Sequence, residues 1–518
     1  MKQTIENVVI VGGGTAGWLT AALLARKLNA TLAGAVKITL IESPDIPIIG
    51  VGEGTWPTMR TTLQTIGIDE ADFIRECDAT FKQGAEFVNW YDDPAVIGRH
   101  SYFHPLSAVF HSAYDFSLAP YWLQGLSDLP YDQAVASQSM ICQLGLAPKK
   151  ITTPAFAALQ NYSYHLNAGK FADFIRKHSV SKLGVNFVSA NVQRVDLAPD
   201  GSISGVMTDS AGMIAGDFFI DCSGTKALLI GEALGIGWKS VQNIILNDTA
   251  LAMQVPYASP DEPIASHTIA TAQGAGWTWD IGLQQRRGVG YVFSSHHTTL
   301  DEAEQCLRDY VGPAAKDLDA RRIPLNLGYR EKFWHKNCVA IGMSAAFIEP
   351  LEASAIFLIE AAANMLAEQF PRQKADLQYV AKQFNSTFRL RWDKSIDFIK
   401  LHYCISQRRD TEYWRDNTDV MTIPQNLQDK LSHWRHHPPT RYDFDYAFEP
   451  FVLDSYLFVL YGLKFQTQLS ANTSAFSDTE RARLLFKNVL DTTQLMATQL
   501  PKHRELITKI CKYGMSNL

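Results

Sequence analysis

Two hydrophobic periods divide this chain. Val8-Val9-Ile10-Val11 is a short unbroken apolar run that opens into Gly12-Gly13-Gly14-Thr15-Ala16-Gly17, and an Ala/Leu-rich helical pattern follows. That order predicts a buried parallel strand, a tight turn and a helix. A second strand, 36–41, leads to Glu42. The spacing predicts a helix over 69–81, with Lys82 at its end, and a strand over 86–90. Residues 91 to about 160 follow neither period and are rich in aromatics, prolines and histidines. A helix over 171–182 precedes strands at 185–189, 191–197 and 203–208, the last two joined through Asp200-Gly201. Another apolar strand ends in Asp221-Cys222-Ser223-Gly224. The segments 276–283 and 286–295 read as two strands of a hairpin. From residue 353 the period is almost wholly helical: 353–369, 375–400, 425–436, 450–462, 478–499 and 502–513.

Composition narrows the classes. With 518 residues and 46% hydrophobic content the chain has enough apolar material for a large core, and its length corresponds to roughly three domains; the net charge of −6 and the absence of a basic run exclude nucleic acid as an expected partner. The seven cysteines are scattered without a CxxC pair, so neither a disulfide framework nor a metal centre is expected, and a reducing, cytoplasmic setting fits. No apolar window is long enough to span a bilayer.

Several stretches carry chemistry. In Gly12-x-Gly14-x-x-Gly17, the first glycine lets the chain turn, the second lets backbone approach a pyrophosphate, and the third lets helix pack on strand. The helix start at Thr15 and Ala16 offers N–H groups to phosphate, and Glu42 can bond a ribose hydroxyl. The later strand ending at Cys222 favours FAD over NAD. Ile49 to Pro57, with Gly50, Gly52 and Gly54 around Glu53, reads as a second strip of backbone along the cofactor or as an ordinary loop. Lys82 alone reads as a solvated lysine. Trp277 and Trp279 share one face of an extended segment, as a core pair does. Near Glu352 a helix begins, and the N–H groups of Ser354 and Ala355 in its first turn suit an anion; Glu352 itself can be a helix-start acid.

These motifs, Gly12-x-Gly14-x-x-Gly17-Trp18, Gly50-Val51-Gly52-Glu53-Gly54-Thr55, Lys82, Trp277-x-Trp279-x-Ile281 and Pro350-Leu351-Glu352-x-Ser354, occur in the order that the flavin-dependent tryptophan-halogenase family shows. Leu401-His402-Tyr403, Arg409-Asp410-Thr411 and Trp414 also resemble it, so the resemblance runs from about residue 8 to about 415. It implies an α/β fold: an FAD-binding, flavin-monooxygenase-like core with a mixed sheet, over 1–90 and 155–370, and a mainly helical substrate-covering subdomain over 91–154 and 371–518.

The resemblance also implies an activity. FADH2 from a separate flavin reductase reacts with oxygen to give a flavin hydroperoxide. A halide, chloride or bromide, held at Ser354 and Ala355 attacks it. The resulting hypohalous acid reaches Lys82, which polarises it or becomes a haloamine, and Glu352 takes the proton from the attacked aromatic ring. Trp277 and Trp279 shield the flavin. FAD contacts carried over are Gly12, Gly14, Thr15, Ala16, Gly17, Glu42, Glu53, Gly54, Val192, Met343 and Ile356. His104 and Leu106 fall in the substrate pocket.

The departures are Gly282 where the family has proline, Ala355 where it has glycine, and Leu106 where tryptophan-specific members are often aromatic. The C-terminal helices show no match. The expected substrate is therefore a free, electron-rich, indole-type aromatic rather than tryptophan itself. A homodimer is compatible with this reading. The alternative activity is hydroxylation by a flavin-dependent aromatic monooxygenase.

Overall fold

The computed structural model describes residues 4–46, 52–107, 116–445, 447–469 and 473–515. Gly50 and Val51 of the predicted glycine strip lie outside the described residues. The chain forms two compact units: Met1–Asp78, Leu166–Val241 and Asn326–Trp392 make the first, and Ala79–His165, Gln242–Leu325 and Asp393–Leu518 the second.

The first unit is built on a six-stranded sheet. Its strand order is Trp334–His335, Cys338–Ala340, Phe218–Asp221, Asn7–Val11, Lys37–Glu42 and Asn186–Ser189, parallel except at the first pair. Val8 to Val11 are buried, as an inner parallel strand covered on both faces requires. The helix Thr15–Lys27 packs against Ala168–Lys182 and Ser354–Glu368. A meander of Val192–Leu197, Ile203–Thr208 and Gly212–Ala215 follows the sheet in sequence.

The second unit holds a seven-stranded sheet in the order Arg321–Pro324, Thr249–Pro256, Arg286–Phe293, Gly276–Gly282, Thr268–Gln273, Gly84–Val88 and Ser101–Pro105. All seven residues of Gly276–Gly282 are buried. The helix Leu300–Val311 starts at a Thr299/Glu302 capping box and lays Leu307 and Val311 against Leu251, Val289 and Tyr291. The C-terminal region is helical: Glu412–Asn417, Gln425–Trp434, Leu453–Gly462, Thr479–Gln499 and His503–Tyr513. The helix Leu377–Cys404 begins in the first unit and ends in the second. The chain thus has the mixed α/β fold with a helical C-terminal region that the family resemblance implied.

Two predicted elements are corrected. The helix expected over 69–81 spans only Glu70–Glu76. Asp78 takes a left-handed φ of 55°, and Thr80–Lys82 is a strand antiparallel to Ser163–His165. The apolar residues at 71, 73, 74 and 77 mimic a continuing helix, but the strand pairing at 80–82 comes from residues about eighty positions away. The helix expected near Glu352 begins at Ser354, because Ala353 is left-handed (φ 52°).

Candidate active site

The glycine turn of the first unit is fixed by what surrounds it. Gly12 has φ +115°, and a Cβ there sits 2.1 Å from the Cys222 carbonyl oxygen; one at Gly17 sits 1.8 Å from the Gly12 oxygen. Only glycine fits either position. A Cβ at Gly14 meets nothing within 4 Å, so that backbone borders open space, as a pyrophosphate cradle must. Gly13, which the motif leaves undefined, is equally constrained: its Cβ falls 2.2 Å from the Glu42 side chain.

Glu42 is thereby brought against the turn. It accepts the Trp18 indole N–H at 3.1 Å and faces Arg176 at 3.7 Å. Burial raises its pKa, against the lowering by Trp18 and Arg176. The Ala190 N–H donates to the Glu42 carbonyl, which carries the half-buried Val192 to the same strand end. Met343 lies on a 3-10 turn whose Gly342 leaves room for Ala16: a Cβ at 342 is 2.6 Å from the Ala16 Cβ. These residues fit an FAD diphosphate and ribose.

Asp221, at the end of its strand, organises the next loop. Its carboxylate accepts from the Ser223 N–H and hydroxyl and from the Leu229 and Ile230 N–H groups at 2.6–3.0 Å. Burial nevertheless raises its pKa.

The first unit also holds Glu53 and Gly54 on a two-residue strand, and Glu352 just before the helix Ser354–Glu368, whose first residues are Ser354, Ala355 and Ile356. Burial lifts Glu53 to about 7. Three residues on, the Trp56 indole N–H donates to the Glu352 carbonyl at 3.0 Å, and its ring stacks on Phe357 with centroids 4.3 Å apart. The turn is closed by Ala353 N–H to Pro350 O. Glu352 is buried. Ser354 and Ala355 follow in the first helical turn, so Ala355 has the helical backbone that lets alanine replace glycine. The Ser354 hydroxyl is buried and has no partner among the described residues. Trp56 lies within the strip 49–57, and no local sequence pattern marks its bond to Glu352.

The second unit holds Lys82, Trp277, Trp279, His104 and Leu106. The Lys82 side chain is 3% exposed, not solvated at a helix end. An ammonium group kept from water is stabilised only by placed partners. His165, paired in register with Thr80, has its pKa driven well down by burial and then by the charges of Lys82, His503 and His267. The Leu106 N–H donates to Gln83 O at 3.0 Å, so the strand Ser101–Pro105 ends beside the residue that follows Lys82. His104 is buried with Phe398 and Phe458 at 5.8 and 6.1 Å.

Trp277 and Trp279 lie in the buried strand with ring centroids 6.4 Å apart. Trp279 lies across Gly290, where a Cβ is 2.1 Å from its ring. At Gly282 a Cβ meets Ile264 at 2.8 Å, and the Gly282 carbonyl accepts the Thr80 hydroxyl at 2.6 Å. Glycine in place of proline here leaves room for the Ile264 side chain.

The first unit therefore defines a dinucleotide-binding α/β protein. The model of the tryptophan halogenase family matches residues 7–478. A 7-chloro-L-tryptophan 6-halogenase of Kutzneria sp. strain 744 is 33% identical, over 97% of this chain and 99% of its own. The crystal structure of a tryptophan halogenase from Shewanella frigidimarina NCIMB 400 superposes with a TM-score of 0.95 at 45% identity, covering 99% of each chain. A flavin-dependent halogenase from Brevundimonas sp. BAL3 gives 0.85 at 31% identity over 98% of this chain and 99% of its own. The chain belongs to the tryptophan halogenase family. It is a flavin-dependent halogenase, with FADH2 as cofactor, a halide ion as co-substrate and a small aromatic molecule as substrate. Among the described residues no helix is long and apolar enough to cross a membrane, and no group of His, Cys, Asp and Glu is placed to hold a metal ion.

Proposed function

We propose that this enzyme adds chloride or bromide to a free, electron-rich, indole-type aromatic, with Lys82 relaying the halogen and Glu352 acting as base. The single observation that carries the reading is the burial of Lys82 on a short strand. Withdrawing an ammonium group from water is costly, and among the described residues only Lys82, Lys149 and Lys400 are lysines buried so deeply. Lys149 and Lys400 bond Pro154 O, Tyr162 and Asn417, whereas Lys82 falls at the position of the family's halogen-relaying lysine.

Gly12, Gly14, Thr15, Ala16, Gly17, Glu42, Glu53, Gly54, Val192, Met343 and Ile356 would hold FAD, which in its reduced form would give two electrons to dioxygen and leave an oxidant able to take two more from halide. The Ser354 and Ala355 N–H groups hold the halide at the helix start. The Lys82 ammonium donates to the hypohalous acid and makes its halogen more electrophilic. As the carbon–halogen bond forms, the O–X bond breaks and the oxygen leaves as water. Glu352 stabilises the cationic ring and takes its proton. Trp277 and Trp279 would shield a bound flavin, so that the substrate meets the halogen donor and not the oxygen donor.

Leu106, half-buried after the buried His104, supports a substrate other than the tryptophan named for the relatives. We assign the electron supply to a separate flavin reductase and the enzyme to the cytoplasm, which suits its seven free cysteines, as a monomer or homodimer. The test supplies FADH2, oxygen, bromide and indole and reads the product by mass spectrometry. Bromoindole is expected; hydroxyindole without bromine contradicts the proposal and identifies a monooxygenase.

A further inference from the structure

The strand Thr80–Lys82 has one edge on Ser163–His165. Away from that pairing the Phe81 N–H has an unusual acceptor: it donates to Nε2 of His503, at 3.0 Å. His503 is the first residue of the helix His503–Tyr513, 421 positions after Lys82, and is 1% exposed. Its other ring nitrogen, Nδ1, lies 3.1 Å from the Ile264 carbonyl. A carbonyl only accepts, so Nδ1 carries the proton and Nε2 carries the lone pair. The two contacts therefore specify one neutral tautomer, and that tautomer alone can receive the Phe81 N–H.

The rest of the surroundings hold His503 in place. Its backbone N–H donates to Gly145 O at 3.0 Å, and Ala147 N–H donates to Pro501 O at 2.9 Å, around a bridge between Leu146 and Lys502. The Gln83 side chain donates to Leu146 O at 2.9 Å and to the Ser266 hydroxyl at 3.1 Å. Gln83 N–H donates to Ser266 O at 2.7 Å. Lys82 thus sits between two residues whose backbones are tied down, and one of those ties is a side chain from the C-terminal helix.

We infer that His503 is a positioning residue for Lys82, holding the backbone of its strand so that the ammonium group keeps its place in the transfer of halogen to the substrate. The inference rests on the proposed relay through Lys82. His503 stays neutral over the working pH range: burial pushes its pKa to about 4, with the charges of His267 and Arg504 acting the same way and the Ile264 carbonyl opposing them. His165, paired with Thr80 on the neighbouring strand, is also held neutral by burial, and the Tyr162 and Tyr164 rings face Phe81.

The test separates making the oxidant from using it. His503→Phe keeps the ring volume and removes both ring nitrogens. With FADH2, bromide and indole, bromoindole formation by this variant is expected to fall at least about tenfold, since small displacements of a reacting group cost that much or more. Bromination of a diffusible enol, monochlorodimedone, and the KM for bromide are expected to stay near the parent values. Lys82→Ala, run alongside, is expected to show the same split more completely.

Unchanged bromoindole formation by His503→Phe, with Lys82→Ala inactive, overturns the role of His503 alone. Full bromoindole formation by Lys82→Ala overturns the relay on which it rests. His503→Gln, which keeps an acceptor and a donor on one side chain, is expected to recover most of the lost transfer, and a failure to recover any overturns the assignment. Should His503→Phe not fold, 15N chemical shifts of His503 in the parent enzyme decide: a proton on Nδ1 and a lone pair on Nε2 support the inference, and the opposite tautomer overturns it.

Discussion

Glu360→Gln isolates one buried carboxyl in the first unit. Glu360 lies within the helix Ser354–Glu368 and is 1% exposed. Its carboxylate accepts from the hydroxyls of Thr58 and Thr62, on the helix Thr58–Ile66 that follows Trp56. Burial raises its pKa from 4.5 to about 8, against the lowering by the two threonines. For an acid whose folded pKa lies above the unfolded one, the stabilising contribution is complete below pH 4.5 and is lost as pH rises through 8. At about 1.4 kcal/mol for each pH unit between the two values, this group removes on the order of 3 kcal/mol by pH 7 and on the order of 5 kcal/mol by pH 9. Glutamine has the shape of the protonated acid and does not titrate. Thermal unfolding of the parent and Glu360→Gln, followed by scanning fluorimetry from pH 5 to pH 9, cancels every other titrating group in the difference. The melting temperatures are expected to nearly coincide at pH 5, with the variant ahead by several degrees at pH 8–9. Parallel curves over that range refute the reasoning.

Three further outcomes follow from the same geometry. Glu352→Gln keeps the buried shape and its backbone bond from Trp56 but cannot take a proton. Turnover is expected to fall by about 10²-fold or more with FAD affinity unchanged, and an unaltered rate removes Glu352 from the chemistry. Asp221→Ala strips the acceptor from two Ser223 donors and the Leu229 and Ile230 amides. It is expected to destabilise the chain by on the order of 3–5 kcal/mol, visible as a large drop in melting temperature; a drop of only a degree contradicts that role. His503→Phe is expected to uncouple oxidant formation from ring bromination, as set out above.

The parts of the fold that obey a local period were legible in the sequence. Val8 to Val11, the glycine turn and the helices from 353 onward declare themselves within ten or twenty residues, and the structure places them within a few positions of expectation. Lys82 was misplaced because its strand exists only by pairing with Ser163–His165; nothing between residues 69 and 82 encodes that partner. The roles of Gly13 and Gly290 were equally hidden, since each is glycine for the sake of a side chain elsewhere, Glu42 in one case and Trp279 in the other. Glu360 and His503 carry no local signal within their helices. Their burial depends on which helix face packs inward and on the two threonines and the Phe81 amide that meet them. The motifs that resemblance supplied, from Gly12 to Ser354, are chemical and short, and so survived where the three-dimensional supports did not show.

On the proposed mechanism, an ammonium group withdrawn from water activates the halogen for transfer to carbon. The direct measurement is ring bromination by Lys82→Ala set against its FAD affinity, with indole, bromide and a saturating supply of FADH2. Loss of bromoindole with FAD bound as tightly as by the parent enzyme is the predicted result. Bromoindole at the parental rate from that variant contradicts the account.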